Sequence, residues 1–290
     1  MLWRNRTLKM KFKIVHDTIY RFSSEVFFEP HFLRFKPKNT PFILVNSFNL
    51  EIVPKSEGLS EQVDAENNYV HFCWFEGMKN EMTIKMEMVV DSLEFNPFNF
   101  ILYPEQYFKV PFTYSESLME ILQPSLKTSG VSTSLIEYGK KILKDSGPDT
   151  LGFLTHLTRQ IHSDFTLEYR HVGEPHKSEK TFQQRHGSCR DLAWMQIQLL
   201  RHLGIASRFV SGYYYVPMEK PEFELHAWIE VFLPGAGWIG FDPSHGLVAG
   251  KTHIPVTSSS HFENTMPVSG TVRGEATSEL ITNLFIEVIK

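Results

Sequence analysis

From Phe12 to Val90 apolar side chains return at every second position, a period that a chain can satisfy only as β-sheet with one face turned to a core. Phe12, Ile14, His16, Thr18, Tyr20 and Phe22 fall on one face of a first strand, and Leu44, Phe48, Leu50 and Ile52 mark a second. A third runs from Tyr69 to Phe75 behind the turn-prone Glu66-Asn67-Asn68. The clearest sets Met82, Ile84, Met86, Met88 and Val90 against Thr83, Lys85 and Glu87. Apolar inward and mostly polar outward, these strands predict an antiparallel β-sandwich over residues 10–91, preceded by a disordered lead at 1–9.

Beyond Ser92 the alternation breaks. Pro97, Pro104, Pro111 and Pro124 are scattered among Phe98, Phe100, Tyr103 and Phe108, and a free linker would not leave so many aromatics in water. Residues 92–130 therefore read as a packed connector. Helical spacing follows, and residues 131–290 are expected to form a second, α+β domain. Ser134 and Glu137 suggest a capping box before Leu135, Ile136, Ile142 and Leu143, with a stop at Gly147-Pro148. Asp149 can cap a second helix with the stripe Leu151, Leu154, Leu157 and Ile161. A third spans Ser188 to about Leu203, ends at Gly204 and is apolar almost all round, as a helix buried at the centre of a domain would be. Strand patterns follow at residues 207–216, 226–233 and 238–242, and again near 251–256 and 280–289.

Charge and composition exclude several classes. Lys and Arg total 29 against 33 Asp and Glu, a net charge of −4 that gives no general reason to expect nucleic acid or an anionic membrane as partner. The 42% hydrophobic and 13% aromatic content is that of an ordered globular protein. No apolar run approaches a transmembrane length. The basic N-terminus lacks the sustained apolar stretch of an export signal, so a cytoplasmic location is expected. Only two cysteines occur, Cys73 and Cys189, too few for a disulfide framework or a four-cysteine zinc site. Cys73 sits in a strand pattern and reads as buried filler. His186, His202, His245 and His253 fall in no recognised ligand spacing, so no metal is assigned and these read as surface or hydrogen-bonded histidines.

Cys189 differs. With Ser188 as N-cap and Asp191 at the third helical position, it is the first helical residue, where free N–H groups and the helix dipole favour a thiolate. Gly187 leaves room for a substrate carbonyl, and the Cys189 N–H can serve an oxyanion. Downstream, Leu225-His226-Ala227-Trp228 opens a strand with a histidine and Gly240-Phe241-Asp242-Pro243 ends the next with an aspartate, supplying nucleophile, base and orienting acid in order. The hairpin between them tests this. A four-residue loop at 234–237 would set Asp242 opposite Ile229 and away from His226, whereas a five-residue loop, Leu233 to Gly237, sets it opposite Trp228 and diagonal to His226 on the same face. An odd-length loop or a bulge is therefore expected.

These residues resemble the bacterial transglutaminase-like superfamily: His186 to Ala193, Leu203 to Tyr213, His226 to Val231 and Gly237 to Ser244, in order over residues 186–244. The N-terminal part is similar to the β-rich domain that precedes the core in many bacterial members, through Tyr20-Arg21-Phe22, Leu33 to Pro37 and Asp64 to Val70. Where relatives often carry Asp-Pro-Thr, this chain has Asp242-Pro243-Ser244, which leaves the acid in place. The resemblance implies a papain-like α+β core, Cys189 as nucleophile, His226 as general base and then acid, and Asp242 as its partner. It also implies acyl transfer through a thioester to water (a protease or amidase) or to an amine (a transglutaminase). No cofactor follows, since no acidic loop has a Ca²⁺-ligand pattern. The expected partner is a peptide or protein substrate, with Asp191, Tyr213 and Trp228 as candidate contacts, Asp191 being chiefly a cap and Trp228 chiefly core. The competing reading is a non-catalytic peptide-binding module on the same fold, from which loss of the thiol, imidazole or acid would be expected.

Overall fold

The computed structural model describes residues 9–38, 40–170, 172–216 and 225–289, so all of the expected lead but Lys9 lies outside the described residues. The period-two alternation folds as anticipated into strands β1 (Lys9–Phe28), β2 (His31–Leu33), β3 (Ile43–Val53), β4 (Gly58–Val63), β5 (Tyr69–Trp74) and β6 (Met78–Leu93). Helices α1 (Glu116–Leu126), α2 (Thr133–Ser146) and α3 (Thr150–Asp164) follow, then β7 (Thr166–Leu167), α4 (Ser178–Gln184), β8 (His186–Gly187) and α5 (Cys189–His202). The chain continues through β9 (Ser207–Tyr214), β10 (Leu225–Leu233), β11 (Gly237–Asp242), β12 (Leu247–Val248) and β13 (His253–Ser259). It ends in β14 (Val268–Ser269), β15 (Val272–Arg273) and β16 (Ser278–Ile289).

The N-terminal sandwich pairs one sheet, in the order β15, β1, β6, β3, with a second in the order β14, β2, β5, β4. Phe12, Ile14, Met82, Ile84 and Met88 from the first sheet bury against Leu33 and Cys73 from the second, all at 1% exposure or less. At about 1.5–3 kcal/mol for each large side chain, this interior accounts for the strict alternation.

The sandwich is not confined to residues 10–91. β16 pairs with β1 along twelve residues, from Lys11 opposite Ile289 to Phe22 opposite Ser278, and β14 and β15 extend the two sheets. The expectation that residues 131–290 form the second domain alone is corrected accordingly. The physical reason is the open edge of β1: its other side is taken by β6, and β16 satisfies the row of backbone donors and acceptors that would otherwise stay unpaired.

The second domain sets α5 against an antiparallel sheet ordered β12, β11, β10, β9, β13. Every residue of α5 from Asp191 to Arg201 is buried, which explains a sequence apolar almost all round. Ser188 and Asp191 form the expected capping box, and Asp149 caps α3 by accepting from Gly152 N–H at 2.6 Å. For α2 the N-cap is Ser132, whose hydroxyl accepts from Leu135 N–H at 3.4 Å, and not Ser134. Within residues 92–130, Leu102, Tyr107, Val110 and Tyr114 join the α5 core, and the stretch also contains α1. The β4–β5 turn clasps β13 from the other domain. Asn68 Nδ2 donates to the Ser258 carbonyl at 3.1 Å, Ser258 N–H donates back to Asn68 Oδ1 at 2.9 Å, and Ser260 N–H donates to Glu66 Oε1 at 3.0 Å. Among the described residues no helix is long and apolar enough to cross a membrane.

Candidate active site

Cys189 opens α5, so its backbone N–H is among the helix donors that have no intrahelical acceptor. The turn before it is held by hydrogen bonds that converge on Asp191. Asp191 is fully buried and accepts from Ser188 N–H (2.8 Å), Ser188 Oγ (2.6 Å), Arg170 Nη2 (2.8 Å) and His176 N–H (2.6 Å). Burial would raise its pKa, but these donors outweigh burial and lower it, so the carboxylate stays charged. Arg190 donates to the carbonyls of Gly173 and Arg170.

The hairpin has the register required. Leu233 pairs with Gly237 across a three-residue loop and Ile229 with Phe241, which carries Asp242 to the level of Trp228, diagonal to His226. His226 Nε2 lies 2.8 Å from Asp242 Oδ2, and the ring also interacts with the Cys189 thiol, beside which it lines two clefts. Burial alone would push the imidazole down. The Asp242 charge and hydrogen bond, helped by Cys189, overcome it and raise the pKa to about 10. Asp242, 0% exposed, is held well below the usual carboxylate range: its burial is outweighed by His226 and by hydrogen bonds from further histidines.

Those further histidines were not assigned to the site from sequence. His245 Nδ1 donates to Asp242 Oδ2 at 3.0 Å and His253 Nε2 to the same oxygen at 3.2 Å. Ser244 saturates Oδ1 through its N–H (3.0 Å) and Oγ (2.6 Å). Their only sequence signal was proximity to Asp242. His226, Asp242 and His253 offer donor atoms within 4.8 Å of one another, a spacing that a metal could use. Each of these nitrogens is instead committed to solvating Asp242 Oδ2.

Two clefts meet at the thiol and imidazole. One, of about 190 Å³, runs toward β1 and β16; the other, of about 90 Å³, is lined by Glu168, Arg170, Tyr214 and His245. A larger cavity of about 320 Å³, walled by Trp228 and Trp238, does not reach Cys189. The candidate substrate contacts are corrected here: Asp191, Tyr213 and Trp228 are buried to 1% exposure or less and line neither cleft. Tyr213 instead turns its hydroxyl into the interdomain core, 3.0 Å from His16 Nδ1, while its neighbour Tyr214 stands 5.3 Å from the His226 ring and faces the smaller cleft. Cys73 is fully buried in the sandwich, and burial pushes its thiol up to about 11.

Residues 12–91 match the bacterial transglutaminase-like N-terminal region and residues 137–243 the transglutaminase-like superfamily. An uncharacterised protein of Mycobacterium leprae is 23% identical over 96% of both chains. A protein-glutamine gamma-glutamyltransferase of Pseudomonas aeruginosa is 31% identical, over 31% of this chain and 15% of its own. A candidate cysteine protease from Cytophaga hutchinsonii has the same fold, with a TM-score of 0.73 at 20% identity, covering 98% of this chain and 92% of its own. With its N-terminal region and its core both matched, the chain belongs to the transglutaminase-like superfamily.

Proposed function

We propose that the protein is a thiol-dependent enzyme that cleaves peptide or amide bonds through a thioester, with Cys189 as nucleophile, His226 as acid and base, and Asp242 as the group that orients and charges His226. The observation that carries this reading is His226 held between a buried carboxylate at 2.8 Å and the thiol at the head of α5. An imidazole kept cationic at neutral pH stabilises the thiolate beside it. The thiolate sulfur attacks the carbonyl carbon, and the resulting oxyanion is met by the Cys189 N–H. Collapse breaks the C–N bond while the imidazolium gives its proton to the leaving amine. Water, deprotonated by His226, then attacks the thioester, releasing acid and thiolate. An amine in place of water gives transamidation, a second reading supported by the gamma-glutamyltransferase name of the Pseudomonas relative.

Iodoacetamide labelling across pH tests the proposal, with Cys73 as internal reference. Cys189 is expected to label fast below pH 7 and more slowly in His226→Ala. Slow labelling at both thiols, appearing only at pH 8–9, supports the binding-module reading instead. A glutamine peptide offered with and without a primary amine then distinguishes hydrolysis from cross-linking.

A further inference from the structure

The β1–β16 ladder brings the reactive thiol against strands that lie outside the matched core. His16 pairs with Leu284, Thr18 with Thr282 and Tyr20 with Leu280, and two-residue alternation sets all six side chains on one face of the sheet. These six form one wall of the cleft of about 190 Å³ into which Cys189 and His226 open, and Phe209 and Met266 of the second domain face them. No Asp, Glu or Lys lines this cleft among the described residues, and its one arginine, Arg190, is engaged with backbone carbonyls. Burial lowers the pKa of His16 to about 4, so its ring is neutral under ordinary conditions. The smaller cleft on the other side of the thiol has the opposite character, with Glu168, Arg170 and His245 in its lining.

We propose that the larger cleft is a specificity pocket, built jointly by the N-terminal sheet and the core, for an apolar, uncharged side chain next to the reacting amide. The inference rests on the thiol chemistry proposed above. It commits the substrate class to peptides carrying a residue such as Leu or Phe at that position and disfavours Glu or Lys, whose charge would lose its hydration in a mainly apolar cleft where Arg190 is already engaged with backbone carbonyls and His226 with Asp242. A single methylene in an apolar pocket is worth about 10–200-fold in kcat/KM, so a Leu peptide should exceed its Glu counterpart at least about tenfold.

Two measurements on the full chain test this. In the first, iodoacetamide and N-benzyl iodoacetamide compete for Cys189, read by mass spectrometry in the wild type, Thr282→Glu and Leu284→Glu. Thr282 is exposed, so Thr282→Glu keeps the test open if Leu284→Glu unfolds, and melting temperatures are recorded for both. The benzyl reagent should react at least about tenfold faster in the wild type, and the ratio should fall toward one in each folded variant. In the second, kcat/KM is compared for Leu, Phe, Glu and Lys peptide amides. No benzyl advantage in the wild type, or an advantage that survives the substitutions, overturns the pocket. Turnover without apolar preference overturns it too and leaves the proposed reaction standing. A benzyl advantage lost in the variants, without turnover of any peptide, upholds the pocket and removes the proposed reaction.

Discussion

His16 offers a direct measure of what joins the two domains. It is 3% exposed, its Nδ1 lies 3.0 Å from the hydroxyl of fully buried Tyr213, and burial lowers its pKa from 6.5 to about 4. The imidazole is therefore neutral in the fold, hydrogen-bonded through Nδ1 to the Tyr213 hydroxyl, whereas in the unfolded chain it takes up a proton near pH 6.5. Between those two values the unfolded state binds more protons, so stability declines as pH falls through the window and the loss is complete below about 4. At 1.36 kcal/mol per pH unit the single group costs about 2 kcal/mol by pH 5 and about 3 kcal/mol by pH 4. Urea titrations of wild type and His16→Gln at pH 7.5, 5 and 4 isolate it, because every other titrating group is common to both. Whatever the substitution costs at pH 7.5, the wild-type advantage should shrink by about 2 kcal/mol at pH 5. A gap that stays constant to within about 0.5 kcal/mol would show that His16 is solvated or charged in the fold, and the reasoning would fail.

Two further outcomes follow from the site and its sheet. Asp242→Asn removes the charge that raises His226 to about 10, so the pH profile of Cys189 alkylation should change from that of the wild type, and turnover should drop by about 10²- to 10⁴-fold. An unchanged pH profile would contradict the role given to the carboxylate. At Gly212 an added Cβ would lie 2.3 Å from the Ile254 carbonyl oxygen and 2.7 Å from the Trp228 ring, where β9, β10 and β13 come together. Gly212→Ala should therefore cost about 3 kcal/mol of unfolding free energy, and a variant as stable as the wild type would show that the sheet yields there freely.

Much of this arrangement was legible in local pattern. The cap at Ser188, the buried run of α5 and the odd hairpin loop are set by neighbours within a few residues, and periodicity reports such neighbours well. β2 has three residues and β4 has none buried, so neither carries an alternation to detect. The α1 pattern is interrupted by Pro124, which reads as a breaker until the surrounding helix is seen. The strand at the end of the chain was visible, but its partner was not, because pairing between β16 and β1 is written in no local signal. The same holds for Asp242. Ser244 and His245 reach it from a turn and His253 from the start of β13, and only the closed sheet shows that three imidazoles share one carboxylate oxygen.

The return of β16 to β1 also sets a clock on biosynthesis. Roughly 180 residues separate the end of β6 from the start of β16, so at about 5–20 residues per second a growing chain carries β1 with one edge unpaired for about 10–40 seconds. During that interval a long apolar-faced strand is open to pairing with a neighbouring nascent chain, and the amphiphilic sheet edge is what a ribosome-associated chaperone would find exposed. The wall of the cleft beside Cys189 is completed at the same moment as the sheet, so the thiol meets its full surroundings only once β16 has emerged.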